Sequence, residues 1–378
     1  MHGLARFAPL LVVVAALSNL GLSQTTLNPD ISVIPRFLIE SNDGEKLSQG
    51  KREFSQPDFQ FQELELVIQS YLNPFSRADV VLTLPGPDIE AASLGIEEVY
   101  ATVFRGLPLD LNLRFGKYRV EYGKLNLVHP HAWPFVTQPL SQTRFLGEEG
   151  LNDLGISASI LLPTGDVYSR LTLDVLRGGT IGEAAGISDT SGSKPFYANS
   201  ARLMGFFSLT DESDLEVGLS TLTGIHDPFH RDRFWYVNGD FKYKYKPSMY
   251  TALVLQGEYL YNTRSAAQDQ AFQPFLDAAG NPEARTINSS GFYVYADYQF
   301  FKLYSLGARY DWSEAPYSND DRTTGVSVFA GYYPVEETLG LRLEYQHFRT
   351  EAPGTATVVN TIVLQVLFSL GPHKAHPF

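Results

Sequence analysis

The chain alternates apolar and polar residues at period two along most of its length, and the connections between these stretches alternate between short and long. Few folds accept both patterns at once. "TIVLQVLFSL" (361–370) places Ile362, Leu364, Val366, Phe368 and Leu370 on one face, with Thr361, Val363, Gln365, Leu367 and Ser369 on the other. "VNGDFKYKY" sets Asn238, Asp240, Lys242 and Lys244 against Val237, Gly239, Phe241, Tyr243 and Tyr245. "LGLRLEYQ" sets Arg342, Glu344 and Gln346 against leucines and Tyr345 in the same way.

The pattern predicts about sixteen strands, near 30–40, 59–71, 77–84, 98–104, 109–119, 153–162, 167–176, 200–209, 215–222, 235–246, 250–261, 292–300, 304–312, 325–333, 339–348 and 359–370. Tight turns are read at 73–76, 105–108, 163–166, 210–214, 246–249, 301–304 and 334–338. Longer loops are read at 41–57, 85–97, 122–152, 177–198, 223–233, 262–290 and 313–323, with a shorter last one near "EAPGTAT". All tight turns then fall at one end of the sheet and all long loops at the other.

Sixteen strands joined only to their sequence neighbours must close, or expose two long edges. A closed barrel of that size encloses more space than side chains fill, so its polar face is the wet inner one and its apolar face meets lipid. Lipid tolerates no open sheet edge. The expected fold is therefore all-β: an antiparallel up-and-down transmembrane barrel with short periplasmic turns and long extracellular loops, in the outer membrane of a Gram-negative-type bacterium. Tyr259, Tyr261, Trp312, Tyr332, Tyr345 and Phe368 fall on the outward face near strand ends, where interfacial aromatic girdles form.

Export fits this reading. "FAPLLVVVAAL" (7–17) follows His2 and Arg6 and precedes small residues, so residues 1–23 read as a secretory leader and 24–378 as the barrel. The run is too short for a membrane anchor, which needs about 20 apolar residues. There is no cysteine, which excludes disulfides and thiolate metal sites. A net charge of −13 argues against nucleic acid and anionic membrane surfaces as partners.

Parity assigns the inward charges. The acidic candidates include Glu63, Glu65, Asp79, Glu98, Asp110, Asp174, Glu216, Asp240, Glu258, Asp297, Asp311 and Glu344. The basic ones include Arg36, Arg77, Arg114, Arg170, Arg202, Lys242, Lys244, Arg309 and Arg342. The pore-lining set expected to matter most is Asp110, Arg114, Arg170, Asp174, Arg202, Asp240, Lys242, Asp297, Arg309, Asp311, Arg342 and Glu344. A slight acidic excess predicts passive diffusion of small hydrophilic solutes or ions with a weak cation preference. Most of these charges would serve only to pair across strands and solvate the wall.

The stretch 109–163 is the most individual. Leu109, Leu111, Leu113 and Phe115 face outward, yet strict parity then sends Lys117 and Arg119 into lipid, so Gly116 is read as a bulge that resets register, or the strand has left the hydrocarbon by that point. A "GKY" strand end, a long loop and "GLNDLGI" opening the next strand resemble the phosphate-selective porins O and P. That resemblance implies a loop folded into the lumen as a constriction, here 122–152 with His129, His131, Glu148 and Glu149. It also implies a homotrimer, by analogy of fold. Those porins carry ladders of basic residues, whereas here basic and acidic side chains interleave, so phosphate selectivity is not carried over. The terminal Phe378 resembles the aromatic signal read by the barrel assembly machinery, although Phe368 is the better placed of the two.

Histidines come in pairs: His129 and His131, His226 and His230, His373 and His376. The first pair is the candidate metal site of an alternative reading, a zinc-responsive outer-membrane receptor or specific channel. A third reading is a barrel plugged by its own loops with an envelope role. "NSSG" (288–291) lacks a nearby histidine and "GLSTLTG" (218–224) lacks a strand–turn–helix context, so neither supports catalysis. No organic cofactor is implied.

Overall fold

The computed structural model describes residues 29–44, 54–86, 93–178, 198–227, 232–267, 273–335 and 338–372. The expected leader (1–23), His230, His373, His376 and Phe378 lie outside the described residues. Among the described residues there are sixteen strands, of which the first half comprises β1 (Asp30–Asn42), β2 (Asp58–Asn73), β3 (Ser76–Pro85), β4 (Gly95–Val103), β5 (Asn112–Arg119), β6 (Asn152–Leu162), β7 (Tyr168–Leu176) and β8 (Ala198–Thr210). The second half comprises β9 (Ser213–Asp227), β10 (Asp232–Ser248), β11 (Thr251–Ala266), β12 (Arg285–Phe300), β13 (Tyr304–Ala315), β14 (Ser318–Val335), β15 (Leu339–Ala352) and β16 (Thr355–Phe368). Each pairs antiparallel with its neighbours in sequence, and β1 pairs with β16 to close the barrel.

Alternation decides which face is wet. In β16, Val363, Gln365 and Leu367 are buried, while Ile362 is 41% exposed. The apolar face of "TIVLQVLFSL" therefore looks outward. Leu219, Leu306 and Leu343 are likewise exposed, whereas Asp240, Arg309, Asp311, Arg342 and Glu344 are buried on the inner side. A water-soluble protein would not leave this many leucines and valines bare. The outer face is a lipid belt, and its aromatics stack at the short-turn end: Tyr304 lies 5.2 Å from Tyr332 and 5.5 Å from Phe300. Replacing lipid-facing Leu343 by Arg is expected to destabilise the barrel by about 2–4 kcal/mol if the site lies near the bilayer midplane. A urea titration in vesicles that shows no shift of midpoint would remove Leu343 from the belt.

The structure corrects the sequence reading in three places. The long loops expected at 223–233 and 313–323 are mostly strand: β9 runs to Asp227, and only 316–317 separate β13 from β14. Cross-strand pairing continues there, with Ser313 opposite Thr323 and Glu314 opposite Arg322. Asp110 does not line the lumen. Pro108–Asp110 form a 3₁₀ turn at the short-turn end, where Asp110 is exposed with φ 50°. Gly116 does not reset register, since β5 pairs without interruption with both β4 and β6. Its φ of 133° and a Cβ position only 2.1 Å from the Val99 carbonyl oxygen explain the glycine as a close approach of backbones.

The irregularity sits instead on β4. Val81 pairs with Glu98 and Leu82 with Ile96, which leaves Glu97 as the extra residue of a bulge. Two successive carboxylates, Glu97 and Glu98, are consequently both buried.

Candidate functional site in the barrel lumen

Between Arg119 and Asn152 the chain leaves the wall and folds inside the barrel. Its sequence explains why it does not pair as strand: Pro130, Pro134 and Pro139 have no amide to donate and hold φ fixed. After Pro139 a short helix, α1 (Leu140–Leu146), ends at Gly147 with φ 88°. One apolar side of the segment, including Tyr122, Phe145 and Leu151, packs on Leu176, Leu222, Phe234, Tyr236 and Leu260 of the wall. Trp133 and Phe135 pack on Val254, Tyr293, Tyr295 and Phe329. Val136 packs on Leu38 and Val363.

Wall carboxylates satisfy the backbone amides that a segment without a sheet partner would otherwise bury unpaired. Glu258 accepts from Lys124 N at 3.0 Å, Leu125 N at 2.6 Å and Gln142 Nε2 at 3.0 Å. Glu344 accepts from Val136 N at 2.6 Å, Thr137 N at 3.0 Å and the Thr137 hydroxyl at 3.0 Å. Asp311 accepts from Leu140 N at 3.1 Å. Arg309 donates to Thr137 O at 2.6 Å, pairs with Asp311 at 2.7 Å and Glu344 at 3.5 Å, and lies over the Phe135 ring. Arg342 donates to His131 O at 2.6 Å. Lys124, on the segment, reaches Glu216 of β9 at 2.6 Å.

Other wall charges pair with one another or with the start of the segment. Arg202 holds Asp240 at 2.5 and 2.9 Å, both fully buried. Asp174 accepts from the Tyr118 hydroxyl at 3.0 Å, and Arg170 pairs with Glu121 at 2.9 Å. Arg114 lies over the rings of Tyr100 and Tyr118. Glu148 and Glu149 are exposed beyond the end of α1.

His129 and His131 stack at 5.6 Å against a carboxylate cluster on β2 and β4. His131 Nδ1 lies 2.9 Å from Glu65, and His129 Nε2 lies 2.9 Å from Glu98. His129 Nδ1 is 3.4 Å from Glu65 and 3.6 Å from Glu97. Burial opposes the imidazolium of His129, but Glu65 and Glu97 outweigh it and raise its pKa. Arg119 pairs with Glu97 and approaches Glu98 at 3.8 Å, while Arg36 pairs with Glu63.

Glu97 and Arg119 belong to this cluster although parity placed neither inside. The adjacent carboxylates "EE" at 97–98 were the available signal: one of the two would have to face lipid unless a bulge turned it inward. Glu65 and Glu258 had the right parity, but nothing in local sequence singled them out.

On the periplasmic side of the segment lies a cavity of about 310 Å³, lined among others by Lys242, Lys244, Lys302, Arg342 and Asp297. On the other side a narrow crevice is lined by Arg119, Gln142, Glu148 and Glu149. Trp133 lines both. Its indole N–H donates to Val128 O at 2.9 Å, which fixes the ring between them.

No protein-family model matches the chain. An uncharacterised protein of Aquifex aeolicus strain VF5 is 27% identical over 352 residues, covering 83% of this chain and 69% of that one. Among solved structures, the outer membrane channel DcaP of Acinetobacter baumannii superposes with a TM-score of 0.56 at 11% identity, over 91% of this chain and 97% of that one. The anion-selective porin of Comamonas acidovorans gives 0.55 at 8% identity over 91% and 99%. The trimer form of OmpT of Vibrio cholerae gives 0.54 at 10% identity over 90% and 99%. These similarities are similarities of fold. Together with the closed sheet and its lipid belt, they make the protein an outer-membrane β-barrel of the porin fold.

Proposed function

We propose that the protein is a passive diffusion channel for small hydrophilic solutes and ions, constricted by the inner segment at Trp133. The observation that carries this reading is that a vestibule of about 310 Å³ and a narrow crevice share one aromatic side chain inside a closed barrel. Catalysis has no part in it, and the trimeric OmpT makes a homotrimer a reasonable assembly.

Counting inward charges favoured cations weakly, but their positions favour anions. Most wall carboxylates are spent on arginines or on backbone amides of the inner segment. The vestibule below Trp133 presents Lys242, Lys244, Lys302 and Arg342 against Asp297. Unlike charges attract permeant ions into such a space. This basic lining is also what speaks for the likeness to phosphate-selective porins. In a planar bilayer under a KCl gradient, conducting steps with a mildly anion-selective reversal potential are expected. Lys242→Glu/Lys244→Glu should move that potential toward cations. A cation-selective wild type would restore the inventory argument against the positional one. A folded barrel that does not conduct would leave the plugged envelope protein. The zinc-responsive reading draws on the histidine cluster.

A further inference from the structure

We infer that Glu65, His129 and His131, with Glu97 beside them, form a binding site for one divalent transition-metal ion of the zinc type between the inner segment and the barrel wall. His129 is held at both ring nitrogens' edges by carboxylates. Its Nε2 lies 2.9 Å from a Glu98 oxygen, which turns the Nδ1 edge of the ring toward Glu65 and Glu97. That Nδ1 is buried, has no hydrogen-bond partner among the described residues, and faces oxygens of Glu65 and Glu97 at 3.4 and 3.6 Å. A ring nitrogen facing two carboxylates calls for a positive centre among them. Oxygens at 3.4 and 3.6 Å are too far for a proton on Nδ1 to make a charge-assisted hydrogen bond, which leaves room for an ion.

The spacing suits a metal ion. Bonds of about 2.0–2.2 Å to nitrogen and oxygen in a tetrahedral site set ligand atoms about 3.3–3.5 Å apart. One donor atom from each of Glu65, His129 and His131 lies within 4.8 Å of the others, and His129 Nδ1 lies 3.4 Å from Glu65, while the 2.9 Å contact of His131 Nδ1 with Glu65 is a hydrogen bond that a bound ion would replace. Glu98 then plays the outer carboxylate that orients a ligating imidazole. Charge agrees as well. Glu63, Glu65, Glu97 and Glu98 outnumber the guanidiniums of Arg36, Arg119 and Arg342, so the cluster keeps a surplus of negative charge when the imidazoles are neutral. The scaffold is fixed from behind, since Arg342 holds the His131 carbonyl and the two rings stack. The donor set of two nitrogens and carboxylate oxygens favours zinc over calcium or magnesium. A bound ion would staple the inner segment to β2 and β4, next to the residues that lead to Trp133.

The test uses the full mature barrel without an affinity tag, refolded in detergent and stripped with chelator. Zn²⁺ is titrated by calorimetry, and Co²⁺ serves as a visible-absorption probe of coordination. The expected result is one tight equivalent per chain with the intense bands of four-coordinate Co²⁺. His129→Ala/His131→Ala should abolish that equivalent, whereas His373→Ala/His376→Ala should keep it. Glu98→Gln keeps both histidines and should weaken Zn²⁺ by about 10–100-fold. Heat-modified gel mobility certifies that each variant is folded, and Glu98→Gln decides the case if the double variant is not. Two results would overturn the site: no tight equivalent in the folded wild type, as expected if the imidazoles serve only as protonated partners of the carboxylates, or binding indifferent to both His129→Ala/His131→Ala and Glu98→Gln.

Discussion

Glu344→Ala is expected to release the centre of the inner segment and to cost about 3–5 kcal/mol, the range for breaking a buried ion pair by removing one partner. Glu344 is fully buried and receives the Val136 and Thr137 amides, the Thr137 hydroxyl and the charge of Arg309. Alanine leaves those donors facing a void, each unsatisfied donor costing about 1–3 kcal/mol. Arg309 keeps Asp311, so the loss falls mainly on the segment rather than on β13. Two measurements separate the segment from the barrel. Hydrogen exchange should show lost protection at Val136 and Thr137, while the urea midpoint reports how far the barrel depends on its filling. Unchanged protection at both amides would mean that Glu344 does not hold the segment. Glu344→Gln, which can still accept from the amides, should lie between wild type and alanine.

The same residues show where sequence reasoning works and where it stops. Sixteen strands were legible because most repeat a two-residue period along their length, and one slip of register would turn the leucines inward and the charges to lipid. The pairing of Glu344 with the Val136 amide spans 208 residues, and that of Glu258 with Leu125 spans 133. No local period encodes such a contact. Parity found the right face for Glu258, Asp311 and Glu344 but could not show that a backbone segment, rather than water, would meet them there. Where the period itself breaks, parity misled. The bulge at Glu97 brings in a carboxylate that was read as the last residue of a loop, and Arg119, which alternation sent into lipid, turns inward because the chain leaves the wall at that residue. Asp110 was lost for the opposite reason: a proline-led turn cut the strand two residues short of it.

Trp133→Ala is expected to raise single-channel conductance by about twofold or more, because pore resistance concentrates at the narrowest point. Trp133 is the side chain shared by the periplasmic vestibule and the outer crevice, and its ring is held by the bond to Val128 O and by packing on Phe135. Truncation removes the wall between the two spaces without touching a wall charge, so the reversal potential should stay where it was while conductance rises. That combination separates widening from a change in electrostatics. A cost in stability accompanies it, about 3–5 kcal/mol for truncating a buried tryptophan, and the heat-modified gel shift shows whether the barrel is still formed at the recording temperature. Trp133→Phe keeps most of the volume and loses the bond to Val128 O, so it should conduct near wild type with more frequent transitions between levels. Conductance in Trp133→Ala equal to that of wild type would place the resistance elsewhere along the segment. The carboxylate and histidine cluster beside Arg119 would then be the next position to widen.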